Sequence, residues 1–274
     1  MIATPSRVSP VAAPSRARRS ISRFLEPFEQ LVGRSSRLLK KPLAEFTRGG
    51  ETYHLPRYVF VGPKGGGDTL RLGLFATIHG DEPAGGLALA RFLEGLEAEP
   101  ELAKGYLLCI YPLCNPTGFE DGTRHARSGR DLNREFWKSS AEPEVRRLET
   151  ELWMHAFHGL VNLHSDDTSH GLYGFVQGTV LSQHLLEPAL TEAQRFLPRN
   201  HGSVIDGFRA EKGVISDCYH GVLRALPGLE HPPFELTLET PQQAPLFRQV
   251  EAFNAALRTI LTEFRYLNAV AANI

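Results

Sequence analysis

Leu70–Leu96 reads LRLGLFATIHGDEPAGGLALARFLEGL and holds one complete strand–turn–helix unit. Its first part, Leu70–Ile78, is a short apolar run of strand length. The run breaks at His79-Gly80-Asp81-Glu82, and Pro83–Leu96 then carries apolar residues at helical spacing, with Pro83 suited to a first-turn position. Upstream, Tyr58–Val61 reads as a strand, separated by the Gly-rich turn Gly62–Gly67. Downstream, Gly105–Leu113 is another apolar strand, and residues 141–158 form a helix opened by a proline. Leu160–Leu163 and Phe234–Thr240 are short buried strands, and Pro245–Phe264 is a long final helix. Helices alternating with short strands predict an α/β fold: a single domain with a mixed, mostly parallel sheet flanked by helices.

Composition narrows the function. Of 274 residues, 42% are apolar and 22% charged, so the chain can bury a core and is neither disordered throughout nor collagen-like. A net charge of −1 provides no global positive field for nucleic acid. No uncharged apolar run reaches the ~18 residues of a membrane span. Cys109, Cys114 and Cys218 are odd in number and lack a CxxC pair, which predicts buried free thiols and a reducing, cytoplasmic setting. The Gly-rich PKGGGD at 63–68 lacks the Lys-Ser/Thr ending of a phosphate loop and reads as a turn.

Charge is concentrated at the start of the chain. Residues 1–48 hold ten Lys or Arg against three Glu, a net +7, which leaves −8 for the rest. They are expected to form a basic, partly disordered arm before a domain at 49–274, ending in an amphipathic helix around Phe24, Leu25, Phe28 and Leu31. The arm has neither the apolar stretch of a targeting peptide nor an aromatic platform for nucleic acid.

Eleven histidines can be sorted by position. Open α/β sheets place chemistry at the carboxyl ends of their strands, and two histidines stand there. His79 ends LRLGLFATI and His164 ends LVNL. His79 and Glu82, three apart in a tight turn, can converge on one cation through nitrogen and oxygen donors. His184-Leu-Leu-Glu187 and His155-Ala-Phe-His158 have similar spacing but lie in helix-like segments, where such pairs are surface contacts.

Further motifs follow in order: Asn115-Pro-Thr-Gly118, then Arg124 and Asp131-Leu-Asn-Arg134 within TRHARSGRDLNR, Leu163-His-Ser165, and LTLETP at 236–241. Together with HGDE, this set resembles the zinc carboxypeptidase superfamily. The resemblance is strongest to its compact branch of succinylglutamate desuccinylases, aspartoacylases and murein-peptide amidases, and it spans residues 79 to 241.

The resemblance implies one Zn2+ per chain held by His79, Glu82 and His164, with His170 and Asp166 as alternatives for the third ligand. Three protein ligands leave an open position, as catalytic zinc requires. It also implies Glu239 as the general base. Glu235 shares its strand parity but lies ~13 Å away, too far to serve the same water. Arg124 matches the oxyanion donor, with Arg127 and Arg130 expected to be solvent-facing loop charges. Asn133 and Arg134 match the pair that grips a substrate carboxylate, for which a guanidinium fork is suited. Asp131 matches an acid behind a ligand imidazole, plausibly that of His79. Tyr173 and Tyr219 are candidates for an assisting tyrosine.

The expected activity is a metallocarboxypeptidase-type amide hydrolase that cleaves a peptide-like bond next to a free carboxylate. The alternative is an N-acyl-amino-acid deacylase, closed in that branch by a C-terminal β-domain. The roughly 35 residues after Glu239 read instead as one long helix. A non-catalytic binding domain would require a missing site residue, and none is missing. Partners are expected to be small carboxylate-bearing peptides or N-acyl amino acids, with no nucleic acid and no membrane.

Overall fold

The computed structural model describes residues 17–43, 45–177 and 181–271. In chain order, α1 (Ile21–Arg34) is followed by β1 (Leu38–Lys40), the hairpin β2 (Glu45–Arg48) and β3 (Glu51–His54), then β4 (Tyr58–Val61) and β5 (Leu70–Ala76). After α2 (Ala84–Ala98) come β6 (Tyr106–Tyr111), α3 (Pro116–Asp121), α4 (Pro143–Met154), β7 (Gly159–Asp166) and β8 (Tyr173–Gln177). The chain continues through α5 (Leu181–Ala193), β9 (Val204–Ile205), β10 (Phe208–Arg209), β11 (Val214–Ile215), β12 (Phe234–Pro241) and α6 (Leu246–Ala271).

Eight strands form the central sheet in the order β1-β4-β6-β5-β7-β12-β8-β11. Pairings are parallel from β6 through β5 and β7 to β12, and again between β8 and β11; β1–β4, β4–β6 and β12–β8 are antiparallel. The single α/β domain with a mixed, mostly parallel sheet is as expected. From β5 the chain crosses first to β6 on one side and later to β7 on the other. The tips of β5 and β7 therefore flank the point where the strand order reverses, the usual ligand crevice of such sheets.

Side-chain alternation decides what covers each face. Leu72, Leu74, Leu108, Ile110, Val161, Leu163, Leu236 and Leu238 point into one core with α2, α5 and α6. The opposite parity carries Phe75, Cys109, Tyr111 and Leu160, packed with Val145 and Leu148 of α4. On that second face Asn162, His164, Glu235, Thr237 and Glu239 border a cavity instead of an apolar helix.

Several expectations need correction. The boundary at 48/49 separates nothing: Leu38–Lys40 pairs with Tyr58–Phe60, and the β2–β3 hairpin spans it. The helix expected at the end of the basic arm is present as α1, with Phe24, Phe28 and Leu31 buried because they recur on one face. Residues 1–16, the rest of the arm, lie outside the described residues. Pro83 stands at the N-cap, one position before the first turn. The 141–158 helix stops at Met154, since Ala156 takes a left-handed φ of 43°. Cys109 and Cys114 are buried, but Cys218 is half-buried on the cavity.

Candidate metal centre and active site

His79 and Glu82 sit in the turn between β5 and α2, and His164 is in the last turn-ward part of β7. The turn is held by close backbone approach. A Cβ on Gly80 would lie 2.0 Å from the carbonyl carbon of Gly118, so HGDE and NPTG meet through two glycines. Thr77, just before the turn, is fully buried with φ 54°, an outlying conformation for a β-branched residue. Asn115 caps α3 by accepting from Gly118 N–H, and its Nδ2 donates to the Ile78 and Arg124 carbonyls. It thus fastens the HGDE turn to the Arg124 loop. Arg19, before α1, donates to the Gly80 carbonyl at 3.2 Å.

The donor atoms of His79, Glu82 and His164 lie within 4.8 Å of one another, all buried, the only such group among the described residues. His79 Nδ1 is 2.7 Å from Glu82 Oε1, and His164 Nδ1 is 3.1 Å from Glu82 Oε2. The two Nδ1 atoms face each other at 3.2 Å. Two imidazole lone pairs at that separation oppose each other unless a proton or cation lies between them, and two nitrogens with a carboxylate oxygen suit a divalent metal. The residues therefore fit the implied ion.

Burial alone would raise the Glu82 pKa, but the two imidazoles hold it well below the usual carboxylate range. Burial lowers the His164 pKa. It works the same way on His79, where the charges of Glu82 and Asp131 outweigh it and raise the value. Asp131 Oδ1 is 3.3 Å from His79 Nε2, at ion-pair distance but not aligned as a hydrogen bond. The same oxygen accepts Asn133 N–H.

Parallel registration places Glu239 of β12 opposite His164, and antiparallel registration places it opposite Tyr173 of β8. Burial pushes its carboxyl well above the ordinary value, with Glu82, Asp166 and Asp206 adding repulsion. Arg124 is 41% exposed, with Nη1 3.4 Å from Glu82 Oε1 and Nη2 3.2 Å from Asp131 Oδ2. Asn133 is held by Leu223 N–H donating to its Oδ1. Arg134 donates to the Asn133 carbonyl, and its guanidinium stacks 4.2 Å from the Tyr219 ring centroid. Tyr219 OH donates to Asp206, and Tyr173 OH to Asp166.

The predicted site residues His79, Glu82, His164, Glu239, Arg124, Asn133 and Arg134 all border one cavity of about 400 Å³. Asp131 stands behind His79. The alternative ligands stay apart: Asp166 is engaged by Thr168 and Tyr173, and His170 is exposed. Arg127 is no solvent-facing charge. It is 19% exposed and bonded to Glu51, Tyr53, Glu120 and Asp121, which ties the β2–β3 hairpin to α3. Arg130 is exposed, as expected. His155 pairs with Glu151, His158 accepts Arg71 N–H, and Glu187 binds Arg199, so the similar spacings do not form metal sites.

Sequence reading missed a buried support. Ser165 and Thr240 hydrogen-bond each other and the Gln249 side chain at 3.0 Å, joining β7 and β12 to α6 just behind the site. Ser165 and Thr240 lie within the LHS and LTLETP motifs, whereas Gln249 has no sequence signal.

Residues 68–200 match the profile of the succinylglutamate desuccinylase/aspartoacylase catalytic domain. The chain has the fold of the zinc carboxypeptidase-like proteins. A protein of Shewanella denitrificans, provisionally described as a metallopeptidase, has TM-score 0.73 and 24% identity over 88% of this chain and 89% of its own. A similarly described protein of Shewanella amazonensis has TM-score 0.71 and 26% identity over 88% and 92%. A metallo-carboxypeptidase of Pseudomonas aeruginosa, solved with (2-guanidinoethylmercapto)succinic acid, has TM-score 0.65 and 19% identity over 89% and 69%. No curated protein matches the chain. Among the described residues, no helix is long and apolar enough to cross a membrane.

Proposed function

We propose that the protein is a zinc-dependent amide hydrolase of metallocarboxypeptidase type, cleaving a peptide-like bond beside a free carboxylate. The observation that carries this reading is registration: β7 and β12 set Glu239 directly opposite His164, on the cavity that also holds His79, Glu82, Arg124 and Arg134. One Zn2+ on His79, Glu82 and His164 would supply Lewis acidity and a water of lowered pKa.

The chain's own residues do the rest. Arg134 receives the substrate carboxylate as a fork, with Asn133 beside it, and so orients the neighbouring amide. Glu239 takes a proton from the attacking water and delivers it to the leaving nitrogen. Arg124, bordering both Glu82 and Asp131, offers its guanidinium to the oxygen that becomes negative. Asp131 steadies the His79 ring. The stack of Tyr219 on Arg134 limits the directions in which the fork can point. The substituted succinic acid bound by the Pseudomonas neighbour agrees with a carboxylate-binding site.

The profile match favours a second reading, an N-acyl-amino-acid deacylase that uses the same residues on a smaller acyl group. The test is a screen of blocked dipeptides, murein peptides and N-acyl-aspartate or N-acyl-glutamate, with and without chelator. Chelator-sensitive cleavage of dipeptides supports the first reading, and cleavage confined to N-acyl amino acids supports the second. Stoichiometric metal without turnover of any substrate would leave only a binding domain. Arg134→Ala is expected to reduce kcat/KM for carboxylate-bearing substrates by about 100-fold, mostly through KM. Unchanged hydrolysis would refute the carboxylate assignment.

A further inference from the structure

On the face of the sheet turned away from the cavity, Val161 and Leu163 of β7 and Leu236 and Leu238 of β12 enter the apolar core. The next residues of that parity are Ser165 and Thr240, paired in register one step beyond His164 and Glu239. Both are buried, Thr240 completely. Two hydroxyls thus stand where the alternation calls for hydrocarbon, directly behind the candidate metal ligands.

Gln249 of α6, 3% exposed, meets them. Its Nε2 donates to the carbonyls of Ala244 at 2.8 Å and Gln242 at 3.2 Å, and because carbonyls only accept, Oε1 faces the hydroxyls. Ser165 Oγ and Thr240 Oγ1 each lie 3.0 Å from that oxygen and 3.0 Å from each other. Both donors and both acceptor positions of the amide are therefore filled. A buried polar network satisfied in this way holds the elements it joins in one arrangement.

Two arms of the network end at Glu82. Ser165 N–H donates at 2.9 Å to Glu82 Oε2, the oxygen that also faces His164. On the other arm, Gln242 N–H donates to the Asp166 carbonyl at 2.8 Å, and Gln242 Nε2 donates at 3.4 Å to the carbonyl of Asp81, one residue before Glu82.

We propose that Gln249 is a positioning residue for the metal centre: through Ser165 and Thr240 it aims the Glu82 carboxylate and holds Glu239 level with His164. The inference rests on the proposed function only in taking Glu82 and His164 as metal ligands. An apolar side chain of similar length would fill the same space and leave the hydroxyls and carbonyls free to turn, so the amide group matters beyond its volume.

Competition with a chelator gives the zinc Kd, and the visible spectrum of the cobalt-loaded protein reports ligand geometry; neither needs turnover. Gln249→Met keeps the volume and removes the four hydrogen bonds of the amide. It is expected to raise the zinc Kd by about 10–100-fold and to alter the cobalt spectrum. Thr240→Val should change both in the same direction, and Thr240→Ser, which keeps the hydroxyl, should restore them. Ile260→Ala loosens the same helix through the apolar core and should leave both readings native despite a lower Tm. Native zinc affinity and cobalt spectrum in Gln249→Met would overturn the assignment. Equal changes in Ile260→Ala, or Thr240→Ser behaving as Thr240→Val does, would overturn it too. Should Gln249→Met not fold, the Thr240 pair decides on the same readings. Zinc affinity that falls as expected while the native protein cleaves no amide refutes the hydrolase and keeps the positioning role. Amide cleavage by a native protein whose zinc affinity ignores Gln249 does the reverse, and a native protein that takes up neither metal overturns both.

Discussion

His164 contributes to the site through a single ring nitrogen facing His79 and Glu82, so its loss removes a donor without removing a strand. His164→Ala is expected to lower bound zinc from about one per chain to a small fraction, measured by atomic absorption, while circular dichroism stays unchanged. Glu144 behaves differently. It is fully buried in the first turn of α4 with neither carboxylate oxygen hydrogen-bonded, and burial, assisted by Glu142, pushes its pKa up to about 7. A carboxyl that holds its proton longer when folded loses stability as pH rises from about 4.5 to about 7. Glu144→Gln should match the native protein at pH 4 and exceed it by roughly 2–3 kcal/mol at pH 8, measured by urea unfolding. At this scale the sequence was readable where chemistry sits at a strand end, as for His79, His164 and Glu239. It was silent on Asn162 and Glu144, whose significance is a missing partner, and on Arg127, whose partners Glu51 and Tyr53 come from a distant segment.

Between elements, the HGDE turn is wedged among the N-terminal segment, the NPTG helix and the Arg124 loop. Gly80→Ala would drive a Cβ into the Gly118 backbone, which cannot rotate aside. The expected result is a loss of about 1–3 kcal/mol and a roughly hundredfold fall in activity, because the proposed metal ligands on either side must move. Arg19→Ala removes both the donor to the Gly80 carbonyl and the guanidinium over the Phe119 ring, and should cost about 1–2 kcal/mol, read as a small fall in Tm. Apolar period alone revealed β5, β7, β12, α2 and the buried face of α1. It did not reveal that α1 packs against α2 or that β1 completes the sheet edge, since neither docking partner is local in sequence. The brief pairs β9–β10 and β11 are too short to carry a period.

For the molecule as a whole, the proposed metal ligands lie on the rim of a sheet buried between two apolar layers, so the core is expected to form without an ion. Removing metal with a chelator is expected to lower Tm by roughly 5–10 °C relative to protein held at a hundredfold excess of zinc over its Kd, with unchanged far-UV circular dichroism. Loss of secondary structure on chelation would show that the ion is structural.

Short-range order was written in the chain. Strand length, helix period and the motif set at 79–82, 115–118, 124–134, 163–165 and 236–241 pointed to an α/β sheet with a candidate metal site at its strand tips. Those features depend on neighbours a few residues apart, which any reader of the sequence can see. Strand registration brought Glu239 opposite His164, set Ser165 and Thr240 against Gln249, and turned part of the basic arm into a support for the HGDE turn. Only the folded molecule could decide these, because each depends on how faces distant along the chain close over one another and on which polar groups that closure leaves facing a cavity.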